Sequence, residues 1–165
     1  MRRCVFMDRD GVINEKARPG EYIRTWQEFK LIPAAVDWIR LFNALDMLVI
    51  VVTNQRGVAR GRIRPDDLTA IHDKMRRSLV DMGARIDDVF ACPHAEESCN
   101  CRKPKPGLVH QAMHKWNISL SESLMIGDSP CDQQLAMLCG LRFVPVSDGR
   151  VIDSIQSMAT ASAGR

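Results

Sequence analysis

The chain has 165 residues, 45% of them hydrophobic and 26% charged, with a net charge of +3. That is enough chain for one domain with a real core, and too little charge to argue for nucleic acid. No apolar run approaches the ~20 residues of a membrane span, and the start at Met1-Arg2-Arg3 leads into a run too short for a signal peptide, so a cytoplasmic protein is expected. A monomer is expected as well. Six cysteines then read as reduced thiols or metal ligands rather than disulfides.

Residues 4–7 form a short apolar run, read as a buried strand, that ends in Asp8-Arg9-Asp10-Gly11. In an extended chain, side chains at i and i+2 point the same way. Both carboxylates therefore face one pocket at the strand's carboxyl end, where open α/β sheets bind ligands. Gly11 lets the backbone turn or approach a ligand closely. Paired carboxylates ask for a cation or a shared proton, although the motif alone also reads as a solvated acidic turn.

Residues 15–30 follow as a loop that can line the site. Pro33 opens a helix with Val36, Ile39, Phe42 and Leu45 inward. The apolar run 47–52 predicts a strand covered on both faces, ending in Thr53-Asn54-Gln55-Arg56-Gly57. A helix over 65–82 turns Leu68, Ile71, Met75, Leu79 and Met82 inward and stops at Gly83. Then come a strand over 86–91, a cysteine cluster, a helix over 107–116 and a strand over 124–126 that ends in Gly127-Asp128-Ser129. A helix over 131–139 and a strand over 141–146 complete the series. The alternation predicts an α/β three-layer sandwich with a mostly parallel sheet. One domain is expected over 1–148, and a tail over 149–165 whose last stretch, 157–165, is of low complexity.

Asp8 and Asp10, Thr53 and Asp128 stand just beyond three strands, and in a parallel sheet those ends share one edge. The set suits phosphoryl transfer. Asp8 can attack phosphorus and form an aspartyl-phosphate, splitting hydrolysis into two easier steps. Mg²⁺, which favours hard oxygens, would be held by Asp8, the Asp10 carbonyl and Asp128. Asp10 can protonate the leaving oxygen and then take a proton from water. Thr53 can donate to a phosphate oxygen, and a lysine from Arg102-Lys103-Pro104-Lys105 can balance its charge.

Cys92-Pro93-His94 and Cys99-Asn100-Cys101 supply three thiolates and an imidazole, the soft set that tetrahedral structural zinc takes; free thiols in a loop are the alternative. A closed four-ligand Zn²⁺ site has a mechanical role, here fixing the loop that presents Arg102 and Lys103. His110 and His114 read as surface or satisfied residues, and Cys4, Cys131 and Cys139 as small buried hydrophobes. The run Arg56, Arg60, Arg62, Arg64 is either a solvated loop or a grip on a second phosphate.

These motifs, from Asp8-Arg9-Asp10-Gly11-Val12-Ile13-Asn14 through Thr53-Asn54-Gln55 and Arg102-Lys103 to Gly127-Asp128, resemble the haloacid dehalogenase (HAD) superfamily. The likeness is closer to the branch of D-glycero-D-manno-heptose-1,7-bisphosphate and histidinol-phosphate phosphatases, over nearly the whole chain. It implies a Rossmann-like fold without a large cap domain, Asp8 as nucleophile, Asp10 as acid/base, and Thr53 with Lys103 on the phosphoryl group. It also implies Asp128 for Mg²⁺, a zinc loop over 92–101 and Arg102 for substrate recognition; Asn14, Asn54, Gln55 and Arg56 are further candidates on the substrate side. Arg56 stands where many of that branch carry a small residue, and Ser129 where the heptose enzymes often have lysine.

The expected substrate is a small phosphorylated metabolite, first a heptose 1,7-bisphosphate cleaved to the 1-phosphate, with histidinol phosphate as the alternative. A zinc-stabilised nucleic-acid module would have only 5% aromatic residues, no groove-spaced basic helix and an acidic pair in the wrong place. A catalytically dead binder would lack a catalytic position, and none is missing.

Overall fold

The structure, a computed structural model, describes residues 1–147 and, as backbone alone, 150–151. Strands β1 (Cys4–Met7), β2 (Leu48–Asn54), β3 (Asp88–Cys92), β4 (Leu124–Gly127) and β5 (Arg142–Ser147) run parallel in the order β3-β2-β1-β4-β5. A two-residue strand, β6 (Arg150–Val151), adds to that edge antiparallel to β5. Chain order reverses beside β1, whose neighbours are β2 on one side and β4 on the other. The crevice outside the carboxyl ends of β1 and β4 is therefore the binding position such sheets provide.

Every residue of β1 and β4 is buried, because helices cover both faces of the sheet. Val5, Met7, Val49 and Val51 pack on one face against α1 (Pro33–Ala44) and α2 (Pro65–Asp81), through Val36, Ile39, Phe42, Ile71, Met75 and Leu79. Cys4, Phe6, Leu48, Ile50 and Val52 pack on the other against α3 (Gly107–Trp116) and α4 (Pro130–Cys139). This is the expected three-layer sandwich. Among the described residues the connections are loops and two short 3-10 turns, with no further domain.

The boundaries move where hydrogen bonding extends past the apolar pattern. β2 ends two residues later than expected, because Thr53 and Asn54 pair with Ala91 and Cys92 of β3. β3 begins two residues later, after Asp87, whose carboxylate and N–H both bond the backbone of Val49 at 2.8 Å. Cys131 departs from the buried-hydrophobe expectation: it is half-buried at the start of α4, its Sγ 3.2 Å from Ser129 Oγ, whereas Cys4 and Cys139 are buried. His110 and His114 are exposed on α3, as expected. β6 falls within the span expected to be tail, most of which lies outside the described residues. No described helix is long and apolar enough to cross a membrane.

Candidate active site

Asp8 is the first residue past β1, and its N–H donates to Ile126 O at 3.0 Å, which ties it to the gap between β1 and β4. Its Oδ1 lies 2.8 Å from Lys103 Nζ, which also lies 2.7 Å from Asp132 Oδ1. Lys103 is buried, and Asn54 places it: the Asn54 amide donates to Lys103 O at 3.0 Å and accepts from Lys103 N at 2.9 Å. Burial pushes the Asp8 carboxyl up to about 7, against the pull of Lys103 and with the repulsion of Asp132 and Asp10. Burial opposes the charge on Lys103, but the carboxylates of Asp8 and Asp132 outweigh it and hold the ammonium above its usual range. Lys105 instead donates to Cys99 O at 2.7 Å, so the pocket lysine is Lys103.

Asp10 is held on both oxygens. Oδ1 accepts from Arg9 Nη2 at 2.8 Å, Arg9 Nε at 3.3 Å and Asn14 Nδ2 at 3.0 Å, and Oδ2 accepts from Gln55 Nε2 at 2.8 Å. Burial works against its charge, yet Arg9, Asn14 and Gln55 leave Asp10 below the usual carboxylate range. Gln55 Nε2 also donates to Thr53 Oγ1 at 2.9 Å, so one amide joins the second aspartate to the buried threonine. The turn after β1 folds back on Arg9 O, which accepts from the backbone of Ile13 and Asn14. Gly11 has φ +92°, and a Cβ there would come within 1.9 Å of Asp128 Oδ2, so a side chain would close the pocket.

Carboxylate oxygens of Asp8, Asp128 and Asp132 lie within 4.8 Å of one another. Among the described residues Asp128 Oδ1 is buried without a partner, and Oδ2 takes Lys16 Nζ at 2.6 Å. Burial raises the Asp128 pKa against the pull of Lys16. Clustered hard oxygens with an orphaned lone pair fit Mg²⁺. Asp132 is committed elsewhere: beyond Lys103 it accepts from Ser129 Oγ at 2.6 Å and Ser129 N at 3.2 Å, capping α4. Ser129, the departure from the heptose branch, thus spends its hydroxyl on Asp132. Asp132 escaped the sequence reading, although its place four residues after Asp128, in the first turn of a helix, was a usable signal.

Cys92 closes β3, and the loop brings His94, Cys99 and Cys101 back to it. Five of the sulfur and imidazole-nitrogen separations run from 3.2 Å for Cys101–Cys92 and His94–Cys101 to 3.7 Å for Cys92–His94, and all four donors lie within 4.8 Å of one another. The edge of a tetrahedron with ~2.3 Å Zn–S bonds is roughly 3.7 Å, so the four donors fit one zinc ion.

This loop also carries Glu96, whose Oε1 lies 2.6 Å from Arg56 Nη1 and 3.8 Å from Arg102 Nη2. Arg102 Nη1 is buried without a partner among the described residues. The rest of the basic run goes elsewhere: Arg60 donates to Tyr22 at 3.2 Å, and Arg64 forks onto Asp67 at 2.8 Å. Arg62 lines a cleft of about 710 Å³ along loop 15–30, joined to the aspartates by Lys16. Of the residues expected to meet substrate, Arg56 and Arg102 converge, while the amide N–H groups of Asn14, Asn54 and Gln55 are engaged in holding Asp10 and Lys103.

Comparison with known proteins gives this geometry a family. The HAD-hydrolase-like family model matches residues 100–159, which include Lys103, Asp128 and Asp132. D-glycero-beta-D-manno-heptose-1,7-bisphosphate 7-phosphatase of Rhodopseudomonas palustris is 38% identical over 148 residues, covering 85% of this chain and 81% of that protein. The chain belongs to the heptose-bisphosphate phosphatase family of the HAD superfamily. Family members of both anomeric names are similar to it: the D-glycero-alpha-D-manno-heptose-1,7-bisphosphate 7-phosphatase of Mycobacterium bovis is 38% identical over 135 residues, 81% of this chain and 70% of that protein. A solved member, the D,D-heptose 1,7-bisphosphate phosphatase of Bordetella bronchiseptica complexed with magnesium and phosphate, superimposes with a TM-score of 0.82. It is 32% identical and covers 98% of this chain and 87% of its own.

Proposed function

We propose that this chain is a Mg²⁺-dependent phosphatase that converts D-glycero-D-manno-heptose 1,7-bisphosphate to the 1-phosphate through an aspartyl-phosphate on Asp8, with a structural zinc in loop 92–101. One arrangement carries the reading: a buried lysine bridges Asp8 and Asp132 at the sheet edge where Asp128 keeps an unpartnered oxygen. Magnesium would be held by Asp8, Asp128 and the Asp10 carbonyl, and would supply the positive charge that lets an anionic nucleophile meet an anionic phosphate.

Asp8 attacks phosphorus through a carboxylate oxygen as the bond from phosphorus to the sugar oxygen breaks, and Asp10 gives that oxygen a proton. Asp10 is ionised before substrate arrives; the neighbouring phosphate dianion raises its pKa, so Asp10 takes up a proton from solvent as substrate binds and carries it to the leaving oxygen. In the second step Asp10 takes a proton from water, the water oxygen attacks phosphorus, and Asp8 is released. Lys103 and Thr53 balance and orient the transferring oxygens. Arg102 and Arg56 suit the non-reacting phosphate, because a guanidinium forks onto phosphate and Arg102 Nη1 has no partner of its own.

The test is a panel of heptose bisphosphates of both anomers, other sugar bisphosphates, sugar monophosphates, histidinol phosphate and nucleotides, ranked by kcat/KM. A heptose bisphosphate is expected to lead; histidinol phosphate ahead of every bisphosphate overturns the substrate assignment. Elemental analysis is expected to find about one zinc per chain.

A further inference from the structure

We infer that His72 is a positioning residue for the acid/base Asp10, acting through the buried guanidinium of Arg9. The inference builds on the reading of Asp10 as the acid that protonates the leaving oxygen. His72 sits on the inward face of α2 beside Ile71 and Met75, 8% exposed, with Nε2 3.1 Å from Arg9 Nη1. A guanidinium can only donate, so the imidazole accepts at Nε2 and is neutral, its proton on Nδ1. Arg9 is 1% exposed and fixed from three sides. Nη1 meets His72, Nη2 and Nε meet Asp10 Oδ1, and its central carbon lies 5.9 Å from the centre of the Phe29 ring.

The consequence reaches the chemistry. Asp10 Oδ1 already has three donors, two from Arg9 and one from Asn14, whereas Oδ2 has one, from Gln55. A carboxylate oxygen offers two in-plane lone-pair sites, so the proton that Asp10 transfers sits on Oδ2. Without His72, Arg9 Nη1 is a buried donor with no acceptor, and the guanidinium turns to find one. Asp10 then loses the orientation that aims Oδ2.

An alkyl phosphate needs its leaving oxygen protonated; 4-nitrophenyl phosphate, with a good leaving group, does not. Comparing kcat/KM on the two isolates this step, because kcat/KM reports nothing after the first irreversible step. For His72→Leu, kcat/KM on the fastest alkyl phosphate of the panel is expected to fall about tenfold or more, while that on 4-nitrophenyl phosphate changes less than about threefold. His72→Gln, whose side-chain carbonyl can accept from Arg9, is expected to restore most of the loss. Arg9→Lys, which cannot fork, should repeat the alkyl-selective loss and serves if His72→Leu fails to fold. Equal losses on both substrates, or none on the alkyl phosphate, overturn the positioning role. Asp10→Asn is measured alongside: if it too fails to discriminate between the substrates, the acid assignment of Asp10 falls as well.

Discussion

The aspartate pocket and the arginine rim differ in how their charges are held. In the pocket, the side chains of Lys103 and Asp132 are buried and Lys103 pairs with both Asp8 and Asp132, so these charges are held where water cannot screen them. At the rim, Arg56 and Glu96 are 37% and 62% exposed, and Glu96 binds the two arginines at unequal distances. Buried pairing gives preorganisation for chemistry and a large penalty for breaking it. Exposed pairing costs little to rearrange, which suits a surface that exchanges its own carboxylate for a ligand. Substitutions in the pocket should therefore remove turnover, and those at the rim should change only which substrate is preferred.

The largest effect is expected from Asp8→Asn, which keeps the shape and removes the nucleophile. Steady-state turnover should fall at least about 10³-fold with the far-UV circular dichroism unchanged. Near-normal turnover in that variant would exclude the covalent route and erase the contrast with the rim.

A second pocket effect is thermodynamic. Burial, helped by the charge of Arg9, lowers the His72 pKa to about 3, below the ~6.5 of an unfolded histidine. As the pH falls below ~6.5 the unfolded chain takes up a proton that the folded chain refuses until about 3. Stability from this group is thus fully present above ~6.5 and is lost as the pH drops towards 3. By pH 4 the loss is on the order of 3 kcal/mol. His72→Gln should flatten the Tm curve between pH 7 and 4, and a curve that stays as steep would mean another group carries the acid limb.

Rim effects are smaller and selective. Arg102→Ala removes charged hydrogen bonds worth about 1.5–3 kcal/mol, so kcat/KM on the bisphosphate should fall about 10- to 100-fold. The value on 4-nitrophenyl phosphate, which has no second phosphate, should stay within about threefold. Equal losses would place Arg102 at the reacting phosphate and merge rim with pocket.

The same contrast governs what could be read from residue order. Asp8, Asp10 and Asp128 were legible because apolar runs mark strands and parallel strands present their carboxyl ends together. Which lysine enters the pocket was not legible from spacing: Asn54 selects Lys103 from 49 positions away, and that pairing exists only in three dimensions. Thr53 and Asn54 look like loop because they are polar, yet ladder bonding to β3 keeps them in the strand. His72 passes for the polar flank of an amphipathic helix until a buried arginine is found against it. The Arg56–Glu96–Arg102 contact depends on the fold of a short loop, which the zinc-ligand spacing does not define.

Glu96→Gln should give the smallest and most specific change. Its carboxylate occupies the space between Arg56 and Arg102 where the non-reacting phosphate is proposed to sit, so that phosphate must displace it. An exposed ion pair of this kind is worth about 0–1 kcal/mol, which sets the scale of the competition. Glutamine keeps the length and hydrogen-bonding capacity but not the charge. KM for the bisphosphate should therefore fall about two- to fivefold, while kcat and the parameters for 4-nitrophenyl phosphate stay unchanged. The arginines are the route of the effect, so in an Arg102→Ala background the same substitution should do much less. A rise in KM would show instead that Glu96 holds the arginines in the binding posture, and the exposed rim would then be as preorganised as the buried pocket.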